Sequence, residues 1–407
     1  MQESVICHHE DFLELCDHIQ QAGIVAFDTE FTSDAGYRYE LGLLQFATPE
    51  RCVAVDPLAF PELGRWWQIM ADDSTTVVVH GGQAEVRFCL QQCGLKPQKL
   101  VDIQLAEGLR CRSYPLSYSA IVERILGKHV ESSQTRTDWQ RRPLSAEQIH
   151  YALEDVSNIL PIWDAQRRWL ERRGRLDWAF AEFDRMVEQL AADERTPPWQ
   201  RVTGIHKLHR RELAIAQKLA KWREEEAAFR NRPPRRILRD DLLIDLARRK
   251  PTTVQAALAT RDLNRPEIRK RIDEMLEAIR EGLEVPEDQL PRRFRSRSSD
   301  ISSDEQVIAK LLGLALANRC AQLNIAQSFV GTNQDLVEVV RFIRNGDQSA
   351  RPLLLEGWRE QVCGELLLKV LRGEMSFRVA PAGSGTPLLF EDVTEADAEF
   401  PDGDETD

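Results

Sequence analysis

Val25-Ala26-Phe27-Asp28-Thr29-Glu30-Phe31 is an apolar run that closes on two carboxylates two residues apart. Ile24–Phe27, bounded by Gly23, reads as a buried strand. Side chains i and i+2 of a strand share one face, so Asp28 and Glu30 converge. Two bare carboxylates side by side repel and call for a cation. Magnesium, which takes hard oxygen ligands, is the natural guest. An exposed strand end would carry the same acidic pair with no ligand at all.

Outward from this strand, residues 1–190 alternate short apolar runs with helical patterns, which predicts an α/β domain. Leu41–Ala47, Cys52–Val55, Thr76–His80 and Leu100–Ile103 read as further strands, and Phe12–Gln21, Gln83–Cys93, Tyr118–Leu126 and Ser145–Arg172 as helices. Ser145 with Gln148 has capping-box spacing and fixes where the last long helix starts. A linker follows near Asp193–Val202, broken by Pro197-Pro198. Apolar residues then recur at helical spacing through 205–284 and again through 304–375, with an Arg/Ser-rich connector at 291–303. The chain after Ala380 is acidic and poor in core residues, which predicts disorder. The expected division is 1–195, 203–290, 304–376 and an acidic tail from 380 to 407.

Composition sets outer bounds. The chain has 407 residues, 42% hydrophobic and 29% charged, typical of a soluble globular protein. The best apolar stretch, Leu311–Ala317, is far short of the roughly 20 residues a membrane span needs. The polar, acidic N-terminus is no secretory signal, and the eight cysteines form no C-x-x-C pair; both fit a cytosolic protein with reduced thiols. The net charge of −12 argues against indiscriminate nucleic-acid binding, but it is unevenly spread. Residues 391–407 hold nine acids and no base, whereas 201–297 hold 25 Lys and Arg against 16 Asp and Glu. A phosphate-binding face in the middle of the chain is masked by the average.

Two more segments carry chemistry. Tyr151 and Asp155 are four apart on the last helix and share one face. A phenol beside a carboxylate positions water, although a packed Tyr and a solvated Asp have the same spacing. Val77-Val-Val-His80-Gly-Gly-Gln-Ala-Glu85 runs from a strand through two glycines into a helix whose first turn holds Glu85. An acid there is also favoured by the helix dipole alone. With no G-x-G-x-x-G and no following Lys-Ser/Thr, nucleotide-cofactor binding is rejected.

The acid-x-acid strand, the Gly-Gly acidic helix and the Tyr-x-x-x-Asp helix, in that order, resemble the DEDD family of 3′–5′ exonucleases in its tyrosine-bearing branch, and within it the ribonuclease D family. Leu41-Gly-Leu-Leu-Gln45, Val55-Asp56-Pro57-Leu58, Val101-Asp102-Ile103-Gln104, Thr135-Arg-Thr-Asp-Trp139 and Arg142-Pro143-Leu144 extend the likeness. It implies a ribonuclease-H-like α/β domain followed by one or two HRDC-type helical bundles. It also implies two divalent metal ions, magnesium or manganese in its place. Asp28 would bridge both; Glu30 and Asp155 would hold the ion that carries the attacking water; Tyr151 would orient that water; Glu85 would serve the second ion. Glu85 stands where the family usually has Asp. His80 is expected as a buried, hydrogen-bonded support and Asp102 in a helix-capping or core-edge role. The implied substrate is RNA with a single-stranded 3′ end, tRNA precursors included, cut to nucleoside 5′-monophosphates. A DNA exonuclease and an RNA-binding scaffold with an impaired site are the alternatives.

Leu208–Glu284 resembles an HRDC domain through Trp222-Arg223 and Asn231-Arg-Pro-Pro-Arg-Arg-Ile-Leu238. Arg210, Lys218, Lys221, Arg232, Arg235 and Arg236 are its candidate backbone contacts. A solvated helix surface, offset by Glu224–Glu226, is the plainer account of the same residues.

Overall fold

The computed structural model describes residues 5–32, 37, 39–130, 137–260, 262–263, 266–293, 301–344, 346 and 350–393. It forms two compact units, each from several stretches of chain: residues 1–101, 131–160 and 184–299 in the first, and 102–130, 161–183 and 300–407 in the second. The contacts thus divide the chain differently from the linear partition expected above.

Strands β1 (Val5–Ile6), β2 (Ile24–Thr32), β3 (Glu40–Ala47), β4 (Cys52–Val55), β5 (Thr76–Val79) and β6 (Leu100–Asp102) form one sheet in the order β1-β4-β3-β2-β5-β6. β3 runs antiparallel to β2 and β4, and β2 runs parallel to β5. In the first unit, helices α1 (His9–Ala22), α2 (Gly64–Met70) and α3 (Gln83–Cys93) cover one face, burying Phe12, Ile19, Trp66, Trp67 and Phe88 against Val25, Phe27, Phe46 and Val79. Here β2 presents its odd-numbered side chains. The even-numbered ones, Ala26, Asp28 and Glu30, belong to the opposite face. On that face Leu43 and Ala54 pack with Trp139 and with Ala152 and Leu153 of a later helix, α6 (Ala146–Ser157).

The second unit contributes α4 (Ile103–Gly108), α5 (Tyr118–Leu126), most of α7 (Ile159–Arg172) and the first part of α8 (Leu176–Arg195). Its core holds a buried ion pair between Glu182 and Arg359. The helical region of the first unit is built on α9 (Arg210–Arg230), with the short α10 (Pro234–Ile237), α11 (Asp240–Arg249), α12 (Val254–Leu258), α13 (Pro266–Arg269) and α14 (Ile272–Glu284). Leu213, Ile215, Leu219, Leu243, Leu246, Met275 and Ile279 form its core. The second unit closes with α15 (Ser303–Leu323), α16 (Gln327–Val330), α17 (Asn333–Arg344) and helical turns over 357–371.

Three expectations are corrected. β2 does not stop at Phe27; pairing with β3 carries it to Thr32, with a bulge between Glu30 and Phe31, so the acids lie within the strand. The helix expected over Ser145–Arg172 is two helices, broken at Asn158. Pro161, which lacks an N–H, is accommodated in the first turn of the second one. Finally, the chain past Ala380 is not all irregular. β8 (Leu388–Asp392) pairs antiparallel with β7 (Met375–Val379), and Phe377 faces Phe390 across the pair. The acidic residues from 395 onward, and Arg295 and Arg297 of the connector, lie outside the described residues. All eight cysteines are free, and none of the described helices is long and apolar enough to cross a membrane.

Candidate active site

β2, α3 and α6 bring the five predicted catalytic residues into one electrostatically coupled group. Asp28 and Glu30 are half-buried on the α6-facing side of β2, and Tyr151 and Asp155 come from α6 itself. The capping box is present as expected: the Ser145 side chain accepts from the Gln148 N–H, and the Gln148 side chain accepts from the Ser145 N–H at 2.9 Å. It sets the helix start, which places 151 and 155 one turn apart on the sheet side.

Glu85 arrives from the other face. Gly81 has φ 64°, and a Cβ on Gly82 would lie 2.3 Å from a Val79 methyl, so only glycine lets β5 turn this tightly into α3. Glu85 is then buried in the first turn, and the Thr29 hydroxyl donates to its Oε1 at 2.5 Å.

The group behaves as charges lacking a counter-charge. Burial, followed by the charges of Glu85, Asp155 and Glu30, holds the Asp28 carboxyl well above the usual range. Burial and then Asp155 and Glu85 push Glu30 up to about 8. Burial lifts Asp155 to about 6, against the pull of a hydrogen bond with the Tyr151 hydroxyl. The phenol is itself pushed up, by burial and then by Asp155 and Glu30, and keeps its proton.

Among the described residues, no three His, Cys, Asp or Glu side chains are already drawn together as a closed metal cage. Glu85 is engaged by Thr29 and Asp155 by Tyr151. The donor set nevertheless fits a hard divalent cation: it is all carboxylate oxygen, and its charged form is disfavoured in the cation's absence.

Two residues near this group were not singled out from the sequence. Thr29 sits between the two acids of β2 and holds the third. Gln45 is fully buried opposite Asp28 in the β2–β3 register, and neither atom of its amide has a hydrogen-bond partner among the described residues. Period-2 alternation in Leu41–Ala47 would have placed Gln45 on the same face as the acids, which is the signal for it. Of the expected supports, Asp102 caps α4, accepting from the Gln104 and Leu105 N–H groups at 2.8 and 3.4 Å. His80 is half-buried.

The six candidate nucleic-acid contacts do not gather as one face. Arg210 donates to the carbonyls of Glu287 and Leu290, Lys218 pairs with Glu281 at 2.8 Å, and Lys221 pairs with Glu225 at 3.8 Å. Arg232, just after α9, and Arg235 and Arg236, on α10, are exposed, and Arg235 pairs with Asp240 at 3.1 Å.

Residues 4–171 match the 3′-5′ exonuclease family and residues 212–279 the HRDC domain family. A ribonuclease D of Granulibacter bethesdensis is 30% identical over 384 residues, 92% of this chain and 94% of that one. A ribonuclease D of Nitrobacter hamburgensis is 28% identical over 91% of this chain and 95% of its own length. The crystal structure of Escherichia coli RNase D, described as an exoribonuclease involved in structured RNA processing, superposes with a TM-score of 0.79. It has 26% identity and covers 92% of this chain and 99% of that one.

Proposed function

The chain belongs to the ribonuclease D family, and we infer that this 3′–5′ exoribonuclease trims single-stranded 3′ ends with the help of two divalent cations held by Asp28, Glu30, Glu85 and Asp155. The observation that carries the reading is the convergence of carboxyls from β2, α3 and α6, close enough to raise one another above the usual carboxyl range. Bound there, divalent ions supply an activated water and a counter-charge for the departing 3′ oxygen. The chain's own residues do the rest. Asp28, central to the coupled set, would face both ions, and Glu30 and Asp155 would share one of them. Tyr151, which retains its proton, orients the attacking water by hydrogen bonding. The helical region at 203–290 would hold RNA upstream, with Arg232, Arg235 and Arg236 on phosphates, and 304–376 would be a second, diverged HRDC-type bundle. The substrates proposed are tRNA precursors in the cytoplasm, and the products nucleoside 5′-monophosphates.

The test is digestion of a 5′-labelled single-stranded RNA beside a DNA of the same sequence. The expected result is a ladder shortening by single nucleotides, strongest on RNA and abolished by EDTA. Tyr151→Phe should slow it about 10–100-fold by losing only water orientation. A loss larger than that of Asp28→Asn would remove Tyr151 from this role.

A pH-dependent response to metal follows from the same charges. Glu30 and Asp155 lie above the ordinary carboxyl range in the folded protein. The folded state therefore binds more protons than the unfolded one between about pH 4 and 8, and stability without metal falls as pH rises through that window, by up to about 1.4 kcal/mol per unit for each such group. A divalent cation relieves the repulsion. The magnesium-induced rise in melting temperature should be small near pH 5 and grow toward pH 8; a rise independent of pH would contradict cation capture by these carboxyls.

A further inference from the structure

Within the first unit lies a cleft of about 760 Å³ whose lining includes Arg87, two residues after Glu85. One wall comes from the segment after β2 and from α3, through Tyr37, Tyr39 and Arg87. The other comes from Arg201 and from Arg235 of α10. Ring contacts tie its lining to sequence neighbours of the acids. Phe31, next after Glu30, packs its ring 5.1 Å from Tyr39, and Phe88, one turn after Glu85, packs 5.5 Å from Phe31 and 6.2 Å from Tyr39. β2 and α3, two of the three elements that present carboxylates, therefore also contribute to an aromatic ledge, and Tyr39 is its exposed member, at 39%.

The cleft is braced. Asn231, in the left-handed conformation at the end of α9, accepts from the Tyr37 N–H at 3.0 Å and donates to Glu40 Oε1 at 2.9 Å. Its cations differ in availability. Arg223 and Arg235 share Asp240. Arg87 and Arg201 have no carboxylate within reach among the described residues, although they line a cleft that also contains Glu194 and Glu224. An exposed aromatic ledge with two unspent guanidiniums is the chemistry of single-stranded nucleic-acid binding: bases stack on the ring and phosphates meet the charges.

We propose that this cleft seats the single-stranded segment just upstream of the scissile end, with Tyr39 as the stacking platform for a base and Arg87 and Arg201 as phosphate contacts. The proposal rests on the exonuclease reading above and adds to it the path of the substrate. A dinucleotide, wholly occupied at the acids, does not need the cleft, whereas a longer strand does.

The experiment compares hydrolysis of an RNA dinucleotide and a single-stranded RNA of about a dozen nucleotides. Arg201→Ala removes an exposed side chain and leaves the ledge intact; Tyr39→Ala removes the ledge, and Tyr39→Phe restores it. Tyr39→Ala and Arg201→Ala should each raise KM on the longer RNA by about tenfold, with dinucleotide kcat/KM held within twofold and Tyr39→Phe near wild type. Arg201→Ala should also lower the slope of log Kd against log salt by about 0.7 for that RNA, measured by fluorescence anisotropy with EDTA present. Equal losses on both lengths, or none on the longer RNA, would overturn the cleft assignment. Wild-type protein that binds the longer RNA but releases no mononucleotide from either would instead overturn the exonuclease reading, and the anisotropy of the variants would still decide the cleft.

Discussion

Asp28→Asn is expected to lower the rate of 3′ nucleotide release at least 1,000-fold while leaving the folded protein intact. That loss corresponds to about 4 kcal/mol of transition-state stabilisation. Asparagine preserves shape and one acceptor oxygen, so the strand and its pairing to Gln45 across the register survive. What disappears is the charge at the centre of the coupled acids. Asp28 is the member repelled by all three of the others, and its carboxyl is held well above the usual range. At neutral pH its ionised form therefore opposes folding when no cation is present, and the neutral amide does not. The metal-free variant should melt at the wild-type temperature or above it. Activity within tenfold of wild type, or a melting temperature several degrees lower, would remove Asp28 from the centre of the chemistry.

The largest expected loss of stability lies far from the acids in sequence. Glu182 and Arg359 in the second unit are only 2% and 3% exposed. The guanidinium makes a direct pair with Glu182 and donates to the carbonyls of Val330 at 2.7 Å and Phe329 at 3.1 Å; the Trp358 indole N–H donates to the same carboxylate at 2.8 Å. Trp358 in turn stacks on Trp178 and Phe329. Glu182→Ala leaves a buried cation without its counter-charge, which costs about 3–5 kcal/mol. Glu182→Gln keeps an oxygen for the indole and should cost clearly less. Urea unfolding followed by circular dichroism reads both; a cost below about 1 kcal/mol for the alanine variant would mean the pair is not closed to water.

Much of this was readable from residue patterns. α3 and α5 have the limits their periodicity predicted, as does β4, because each is bounded by glycine, proline or a capping serine. The acid pair, Glu85 and Tyr151 with Asp155 were marked by their spacing together with the resemblance of their order to the DEDD exonucleases; spacing alone fitted plainer readings equally well. What patterns did not reveal depends on partners distant in sequence. β2 continues through two acids because β3 supplies its hydrogen bonds, and no local preference announces that. The handover at Asn158 is hidden because both helices around it are amphipathic. The six candidate contacts of 203–290 looked alike as letters, yet Arg210, Lys218, Lys221 and Arg235 are engaged by nearby carboxylates or carbonyls, which only their neighbours in space decide. Tyr39, Arg87 and Arg201 come from three separate segments and had no common pattern to betray them.

Gly42 shows how narrow the tolerance around Tyr151 is. A Cβ there would lie 2.6 Å from Trp139 Cβ and 2.8 Å from its carbonyl oxygen. Arg142 straps the same segment down, donating to the carbonyls of Gly42 and Trp139 and, through two hydrogen bonds, to Asp56. The Trp139 ring lies 6.4 Å from that of Tyr151. Any side chain at 42 must therefore shift the indole that borders the phenol. Drift at this buried position of β3 would disturb turnover along with packing, so in a random-mutation survey position 42 would pass for part of the chemistry while never meeting an RNA.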